Sequence, residues 1–481
     1  MGERKDIGIG AKKDEDISKW FIDIITKADL IEYTDISGCY VFKPRSYSIW
    51  ETVQKHMDLE FKKRKVKNAY FPLFIPEKMF AKEAEHVEGF TPEVAWVTHA
   101  GETPLTEKLA IRPTSETIMY DAYAKWIRSY KDLPLKINQW CNVVRWEFKN
   151  PVPFLRSREF LWQEGHTAFA TKEEAEQEAR EMLEVYRQTY EQLYAVPVIL
   201  GRKTEKEKFA GADYTLSAET FLPTGKAIQG CTSHHLGQNF SKAFNIKFKD
   251  KNEKEQFVWQ NSWGFTTRSI GVMIMMHSDD KGLIIPPNVA TEKLVIVPIY
   301  KEDTKEKVMK EAKKIAEQLK DFSPILDERE DKTPGFKFND WEMKGVPIRI
   351  ELGPKDIDQN QVVAVKRNDS QKIAVKIKDL QKKIPALLDE IQNELFENAK
   401  QNIQVNTIVC RTWHEFEKAI ESRKLVLAPF CNNSECEDWI KDKTHGAKSI
   451  NIPFEQDKID GEKCPQCSSD AKVWCYFAKS Y

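Results

Sequence analysis

The sequence predicts a multidomain α/β protein with three folded units, because the chain is long and its pattern changes twice. At 481 residues it exceeds what one hydrophobic core normally holds. Strands and hairpins dominate the first part, and strands alternate with helices after the two prolines of KGLIIPPNVA. Paired cysteines mark the last part. We therefore predict units at residues 17–288, 289–400 and 401–481, behind a flexible polar lead at 1–16.

The composition is typical of a soluble globular protein, with 41% hydrophobic and 31% charged residues and a net charge of −1. Because the charges balance, any surface for nucleic acid must be a local patch. The N-terminus lacks the apolar segment of a secretory signal, and no apolar run is long enough to span a membrane. Nine cysteines without such a signal favour a reducing compartment, so we expect a cytoplasmic protein without a membrane partner.

The segment KLAIRPTSE reads as a strand that leads into a helix. Thr114 and Glu116 are two residues apart, so they share a face for as long as the strand lasts. Alternatively, Thr114 or Ser115 caps the helix that follows. Both roles are compatible with the sequence.

Residues 140–166 predict a β-hairpin that carries reactive side chains. The two-residue period of a strand places Arg145 and Glu147 on one face of the first arm. It also places four side chains of the second arm on one face, namely Phe160, Trp162, Glu164 and His166. The joining loop adds Arg156. An arginine, carboxylates, aromatics and a histidine directed at one space suit a site for a nucleotide and a small amine.

A later strand, EQFVWQNSW, is followed by a helix that begins near Thr266. Arg268 would then lie in the first turn, where a cation opposes the helix dipole. This placement suggests a bound anion such as phosphate, although an exposed arginine without a ligand is an equally good interpretation. The sequence has no glycine-rich phosphate loop, so any ATP would be held by arginines.

The last unit contains two close cysteine pairs, Cys431 with Cys436 and Cys464 with Cys467. Four thiolates at this spacing predict a structural zinc ion with closed coordination. Free buried thiols are the alternative, and Cys475 could compete as a ligand. The pair His234 and His235 has no glutamate at a metal-binding offset, so we expect ordinary polar contacts there.

Taken together, these motifs resemble those of class II aminoacyl-tRNA synthetases, and specifically the prolyl-tRNA synthetases of the archaeal and eukaryotic type. NAYFPLFIP resembles motif 1, the 140–166 hairpin motif 2, and NSWGFTTRSIGVMIMMHSDDKGLIIPP motif 3. RPTSET, FLWQEGHTA, KFAGADY and QGCTSHHLGQNF are similar to signatures of the prolyl family. The resemblance implies an antiparallel-sheet catalytic domain, an α/β anticodon-binding domain and a small zinc-containing C-terminal α/β domain.

The resemblance also implies the reaction. ATP, with Mg²⁺, and L-proline would give prolyl-adenylate and pyrophosphate, and proline would then pass to the 3′ end of tRNA(Pro). A homodimer would form through motif 1 around Pro72, and the carboxylate of Tyr481 would reach back toward the active site. No editing domain is expected between Arg145 and Arg268, so alanine or cysteine would be activated without hydrolysis of the product in cis.

Residue roles follow from the same resemblance. Arg145, Glu147 and Arg268 would be catalytic, contacting the α-phosphate, the adenine and the γ-phosphate. The ATP-binding set would be Arg145, Glu147, Arg156, Ser157, Gln229, Thr232, Thr266 and Arg268. The proline pocket would comprise Thr114, Glu116, Arg145, Phe90, Trp162, Glu164, His166, Phe209, His234 and Ser262. The candidates for anticodon contacts are Arg349, Glu351 and Lys355.

Two other functions deserve comparison. A class II synthetase for another small amino acid, such as threonine, would need zinc ligands in the catalytic pocket, and FLWQEGH is of the prolyl type. A synthetase-like paralogue without catalysis would have lost motif arginines, yet Arg145 and Arg268 are present. Cys231 departs from the glycine or alanine expected at its position, which would narrow the adenosine side of the pocket.

Overall fold

The computed structural model describes residues 8–79 and 93–481. In these two ranges, no helix is both long enough and apolar enough to cross a membrane. The chain forms three sheet-based parts in the predicted order, and the first is the largest.

The first part begins with α1 (Ile17–Lys27), whose N-terminus is capped by the Asp16 side chain. A hairpin of β1 (Ile31–Tyr33) and β2 (Tyr40–Phe42) then leads to α2 (Pro44–Lys63). The strands that follow are β3 (Lys67–Asn68), β4 (Phe74–Pro76), β5 (Trp96–Ala100), β6 (Thr103–Ile111), β7 (Leu135–Val144), β8 (Glu159–Phe169), β9 (Ile199–Arg202), β10 (Tyr214–Phe221), β11 (Ala227–Gly237), β12 (Lys247–Lys249), β13 (Glu255–Phe257) and β14 (Trp259–Thr266). The remaining helices are α3 (Glu116–Trp126), α4 (Lys172–Gln188), α5 (Asn239–Ala243) and α6 (Arg268–His277).

A mainly antiparallel sheet forms the centre of this part, in the strand order β9-β10-β11-β14-β8-β7-β3. Only the short edge pair of β3 and β7 is parallel. The apolar faces of α2, α4 and α6 pack on one side of the sheet around Trp263 and Phe265. The other side is left for a cavity. This arrangement confirms the antiparallel-sheet domain that the motifs predict.

The hairpin of β7 and β8 differs from the prediction in its first arm. Strand β7 ends at Val144, so Arg145 and Glu147 do not share a strand face. The backbone N–H of Arg145 still pairs with Arg158, but that of Trp146 turns toward Glu93. The turn leaves Glu147 exposed. In the second arm, the four side chains predicted to share a face all line one cavity, namely Phe160, Trp162, Glu164 and His166.

Residues 8–16 are attached to the first part, which corrects the prediction of a flexible lead for this stretch. The backbone N–H of Lys13 donates to Asp280 at 2.8 Å, and its ammonium group donates to the carbonyl oxygen of Ser278 at 2.9 Å. The ammonium also lies 4.8 Å from the Trp20 ring centre. Burial lowers the pKa of Lys13 to about 8. Residues 1–7 lie outside the described ranges.

The second part is a five-stranded sheet covered by helices. Its strands are β15 (Leu294–Pro298), β16 (Ile325–Leu326), β17 (Ile348–Leu352), β18 (Gln361–Lys366) and β19 (Lys372–Lys376). Its helices are α7 (Lys305–Gln318), α8 (Pro334–Lys344), α9 (Pro354–Asp358) and α10 (Leu380–Asn406). The strand order is β16-β15-β17-β18-β19, with β15 parallel to both of its neighbours. Helix α10 continues past the boundary predicted at residue 400.

The third part is joined to the first through a shared sheet. Its elements are β20 (Thr407–Val409), α11 (Trp413–Glu421), β21 (Leu425–Phe430), α12 (Ser434–Lys443), β22 (Ala447–Ser449), β23 (Ile452–Pro453) and β24 (Val473–Lys479). Four strands form its own sheet in the order β20-β21-β24-β22. Strand β23 instead pairs with β9 and becomes the eighth strand of the central sheet. The C-terminal Tyr481 donates its N–H to Ala227 at 3.2 Å.

The packing of β8 against β14 makes a specific prediction for Gly165. A Cβ atom at this position would lie 2.1 Å from the ring of buried Trp263. We expect Gly165→Ala to lower the thermal unfolding midpoint by several degrees, because overpacking costs roughly 1–3 kcal/mol. Gly335→Ala is the matched control, since its Cβ would meet nothing within 4 Å and it lies in a helix, where alanine is favourable. Equal midpoints for the two variants would contradict the packing described.

Candidate active site

A cavity of about 270 Å³ lies on the open side of the central sheet. Strands β8, β11 and β14 contribute alternate side chains to it, and the loop between β7 and β8 closes one end. The predicted site residues that line it are Thr114, Glu116, Arg145, Arg156, Ser157, Trp162, Glu164, His166, Phe209, Gln229, Thr232, His234, Ser262, Thr266 and Arg268. Residues separated by up to 154 positions in the sequence are thus brought to one space.

Two predicted site residues are not placed in this cavity. Glu147 is exposed in the turn after β7 and does not line it, because the strand ends before that residue. Its assignment to the adenine ring stays a prediction. Phe90 lies outside the described residues.

The arginines of the cavity are oriented by backbone carbonyls and rings. Arg145 donates from Nε to Pro113 at 3.1 Å, and its guanidinium lies 5.4 Å from the Trp162 ring centre. Arg268 donates from Nε to Leu155 at 3.0 Å. Among the described residues, neither guanidinium forms a salt bridge with a carboxylate. Burial lowers the pKa of both groups from the ordinary arginine value. Partly desolvated cations that form no salt bridge among the described residues favour an anion here.

The position of Arg268 decides between the two interpretations that the sequence left open. It is the first residue of α6 and lines the cavity, and its Nη1 also donates to the carbonyl oxygen of Gln229 at 3.3 Å. It is therefore not a freely exposed arginine. The geometry favours an anion at the start of this helix.

Glu116 is a buried residue whose carboxylate lines the same cavity. In the part of the chain that the structure describes, its carboxylate accepts one side-chain hydrogen bond, from the Thr114 hydroxyl. Ser115 precedes α3 but makes no side-chain capping bond, and its hydroxyl donates to Glu164 instead. Ser115 therefore occupies the N-cap position that the alternative predicts, but neither its hydroxyl nor that of Thr114 makes a capping bond to the helix backbone.

Glu164 has a different environment, because several donors surround it. It accepts from the Ser115 backbone N–H and from Gln139 Nε2, both at 3.1 Å, and from the Ser115 hydroxyl. His166 Nε2 lies at the same distance, and His166 Nδ1 lies 3.1 Å from the Tyr120 hydroxyl. Burial alone would raise the pKa of Glu164, but these hydrogen bonds lower it below its ordinary value.

His166 completes a buried ion pair with Glu164. Burial alone would lower its pKa, but the charges of Glu116 and Glu164 raise it above the ordinary histidine value. The pair therefore has little net charge. Oxygen and nitrogen atoms of Glu116, Glu164 and His166 all lie within 4.8 Å of one another, a spacing that a cation such as an ammonium group fits.

His234 is held as a neutral imidazole. Its Nδ1 lies 2.9 Å from the Thr215 hydroxyl and its Nε2 3.0 Å from the Thr232 hydroxyl. Burial lowers its pKa to about 3. The Phe209 ring packs 4.7 Å from the imidazole and forms the apolar wall beside it. His235 points elsewhere, to Asn261 at 2.9 Å, so the two histidines make the polar contacts that the sequence predicts.

Sequence reasoning missed several residues that orient these groups. Gln139, Ser115, Tyr120 and Thr215 each bond a pocket side chain from a neighbouring element. Gln139 had a signal, since a polar amide in an apolar strand is uncommon in a buried position. Its partners could not be found from spacing, because they lie on β8 and next to α3.

The four predicted cysteines form a second cluster, in the third part. The Sγ atoms of Cys431, Cys436, Cys464 and Cys467 all lie within 4.8 Å of one another. Four thiols around one point suit a tetrahedral soft cation such as zinc. Cys475 is not in the cluster; it is buried in β24. The competition for the metal by Cys475 that the sequence allowed is not supported.

The predicted anticodon residues lie on the second part. Arg349 is buried and pairs with Glu351 at 3.0 Å and with Glu342 at 3.4 Å. The two candidates Arg349 and Glu351 therefore satisfy each other. Lys355 is exposed on α9. Anticodon contact by these residues stays a prediction, and Lys355 is the exposed one of the three candidates.

The C-terminus lies beside the active site. Tyr481 lines a cavity of about 200 Å³ that shares Arg156, Gln229 and Arg268 with the main cavity. This location agrees with the expectation that the terminal residue reaches back toward the active site.

Three comparisons with known proteins agree with this geometry. Residues 98–277 match the family described as tRNA synthetase class II core domain (G, H, P, S and T). Residues 293–387 match the anticodon binding domain family, and residues 413–481 match the family described as Prolyl-tRNA synthetase, C-terminal.

Whole-chain relatives give the same result. The cytoplasmic proline–tRNA ligase of Arabidopsis thaliana is 49% identical over 99% of this chain and 91% of its own length. A putative proline–tRNA ligase of Saccharomyces cerevisiae is 48% identical over 100% of this chain and 74% of its own length. A crystal structure of prolyl-tRNA synthetase from Cryptosporidium parvum, complexed with halofuginone and AMPPNP, is similar with a TM-score of 0.95 and 47% identity, covering 99% of this chain and 100% of that one. The chain therefore belongs to the prolyl-tRNA synthetase family of class II aminoacyl-tRNA synthetases.

Proposed function

We propose that the chain is an ATP-dependent proline–tRNA ligase whose single cavity binds ATP and L-proline side by side. The observation that carries this proposal is that one cavity is lined both by arginines that form no salt bridge among the described residues and by the carboxylate of Glu116. Arg145 and Arg268, without carboxylate partners among the described residues, supply positive charge for the polyphosphate. Glu116 supplies the negative charge for an amine, next to the rings of Trp162 and Phe209.

The chemistry requires positioning more than a protein nucleophile. ATP enters as its magnesium complex, and the carboxylate of proline attacks the α-phosphorus and displaces pyrophosphate. Arg145 would bridge the proline carboxylate and the α-phosphate, and Arg268 with Arg156 would hold the terminal phosphates. Gln229, Thr232, Thr266 and Ser157 would contribute the remaining polar contacts to ATP. The 3′ hydroxyl of tRNA(Pro) would then attack the carbonyl of prolyl-adenylate and release AMP.

Recognition of proline would rest on Glu116 rather than on Glu164. Proline is a secondary ammonium on a small apolar ring, and Glu116 has acceptor capacity left for it. Glu164 is already paired with His166, so we assign it to shaping the pocket. The neutral His234 adds no positive charge that would repel the ammonium. Trp162, Phe209 and Ser262 would enclose the proline ring. Phe90 is also proposed to contact proline, on the basis of the family resemblance alone.

Glu116→Gln tests this assignment by ATP–pyrophosphate exchange. We expect the wild-type chain to exchange with proline and not with threonine, and weakly with alanine or cysteine, which a pocket for a small ring excludes poorly. Glu116→Gln should raise the KM for proline about tenfold or more and leave the KM for ATP within about twofold, because it removes a charged hydrogen bond worth roughly 1.5–3 kcal/mol.

Asp121→Asn is the matched control, because Asp121 lies on the same helix, pairs with Lys125 and does not line the cavity. It should leave both KM values unchanged. An absence of proline-dependent exchange in the wild-type chain would overturn the proposed function. Equal effects of the two substitutions would overturn the assignment of Glu116.

A structural zinc ion in the cysteine cluster is part of the proposal. We expect about one zinc per chain by elemental analysis, since four thiolates leave no open coordination position. Cys464→Ser should lose the zinc and lower the unfolding midpoint of the third part. Cys39→Ser, which changes a half-buried cysteine outside the cluster, should retain it. Full zinc content in Cys464→Ser would exclude this site.

A homodimer through motif 1 is also proposed. Tyr70, Phe74 and Trp126 are 72%, 45% and 50% exposed. Tyr70 and Phe74 are close in sequence to the exposed Pro72, and the Trp126 ring lies 5.8 Å from that of Phe71. Such a group of exposed apolar side chains is typical of a protein interface. A second copy of the chain is the expected partner.

Tyr70→Glu should weaken this association, because it places a charge in an apolar contact. Sedimentation analysis should show a dimer for the wild-type chain and a larger monomer fraction for the variant. Phe454→Glu changes a side chain that is 41% exposed in the third part, and it should leave the dimer intact. A monomeric wild-type chain would contradict the proposal.

Three further expectations complete the function. The second part, which matches the anticodon binding domain family, would bind the anticodon of tRNA(Pro), with Lys355 as its accessible candidate. The cytoplasm is the proposed location, supported by the thiol cluster, which needs a reducing compartment. We also propose that the chain does not edit in cis, because the described elements between β8 and β14 are all used by the central sheet and its supports.

A further inference from the structure

A buried glutamine connects the candidate proline pocket with the motif 1 segment. Gln139 on β7 is fully buried. Its Nε2 donates to Glu164 Oε1 and to the Ser115 hydroxyl, both at 3.1 Å. Its Oε1 accepts the backbone N–H of Phe71. Both N–H groups and the carbonyl oxygen of one side chain are thus used, and they reach three different segments.

The backbone of Phe71 makes a second hydrogen bond, through its carbonyl oxygen. Its carbonyl oxygen accepts from Nη1 of the buried Arg112 at 2.8 Å. Arg112 is fixed in turn by its Nε, which donates to the carbonyl oxygen of Asn142 at 2.9 Å. Phe71 itself is buried, but its neighbours Tyr70 and Pro72 are exposed at the proposed dimer surface. A displacement of Tyr70 and Pro72 would therefore change the hydrogen bond between the Phe71 N–H and Gln139.

On the side of the cavity, Gln139 donates to Glu164 and to Ser115, and these two residues orient the carboxylates of the pocket. Glu164 orients His166, and Ser115 directly precedes Glu116. Without the amide donor, Glu164 loses a hydrogen bond that favours its ionised form. Ser115 would lose the partner that fixes its hydroxyl oxygen. Both carboxylates of the pocket would then be less well oriented.

We propose that Gln139 is a positioning residue for proline binding, and that through the Phe71 N–H it makes the affinity for proline depend on the placement of the motif 1 segment. This inference rests on the proposed function. Gln139 does not line the cavity, so it acts through Glu164 and Ser115. A purely structural role would lower stability without changing the response to proline.

The test uses Gln139→Met and a matched control on the opposite face of the sheet. Gln163 is equally buried, accepts from the Tyr186 hydroxyl at 2.8 Å and does not line the cavity. In ATP–pyrophosphate exchange, Gln139→Met should raise the KM for proline about tenfold and leave the KM for ATP within about twofold. Gln163→Met should lower the thermal midpoint but keep the KM for proline. Equal KM values for the two variants would overturn the proposal.

Gln139→Glu adds a readout that a structural role would not produce. At high pH its carboxylate would repel Glu164, whereas its protonated form regains one of the two donors of glutamine and keeps an acceptor. The ratio of its KM for proline to that of the wild type should therefore fall as the pH is lowered from about 8.5 to about 6. A ratio that is independent of pH would contradict the proposed contact. The other titratable groups near Glu164 are Glu116, Tyr120, Tyr123, Cys141, Arg145 and His166.

The link to motif 1 is tested with a double-mutant cycle. Tyr70→Glu should raise the KM for proline in the wild-type background, and it should have a smaller effect in Gln139→Met, because the connection is already broken. Additive effects would overturn the dependence on motif 1. A wild-type chain without proline-dependent exchange would instead indicate failure of the proposed function, so the two failures are distinguishable.

Discussion

The alternation of side chains along β8 is the constraint on which the site depends. Trp162, Glu164 and His166 face the cavity, while the residues between them face the core. On the core side, Gly165 allows the Trp263 ring to lie against the strand, and Thr167 donates to Glu178 at 3.2 Å. A shift of one residue in register would exchange the two faces. The need to bury Trp263 against a glycine therefore also fixes which side chains reach the substrates.

This register places charges of opposite sign in one small cavity. Arg145 is held by a carbonyl oxygen and an aromatic ring rather than by a carboxylate, so its charge is available to an anion. Glu164 is offset by His166, which leaves Glu116 as the accessible negative group. Such groups need no rearrangement when substrate charge develops, and this preorganisation is the main source of electrostatic stabilisation in enzymes. The buried hydrogen bonds around Glu164 provide the rigidity that this arrangement requires.

Sequence patterns correctly predicted those features of the structure that depend on residues close together in the chain. The two-residue period predicted the cavity face of β8, and the cysteine spacing predicted the cluster of four thiols. The same period failed for Arg145 and Glu147, because β7 ends where the chain turns toward Glu93. Helix-capping statistics failed for Ser115, since its hydroxyl donates to Glu164 from a distant strand. Gln139 has all its partners on other segments, so no spacing rule finds it. The charged residues at 8–16 suggested a free lead, but the partners of Lys13 follow α6.

The third part supports the sheet that carries the active site, although few of its side chains line the cavity. Strand β23 extends the central sheet, and buried Lys203, which pairs with Glu219, donates to the carbonyl oxygen of Ile450 at 2.6 Å. If the third part were displaced, this ammonium would lose an acceptor in a buried position, which is costly. Folding of the third part is thereby coupled to the strands that carry Gln229 and Thr232. A metal bound by its four cysteines would add its binding free energy to that fold. A metal site without an open coordination position would thus still stabilise the cavity wall that carries Gln229 and Thr232.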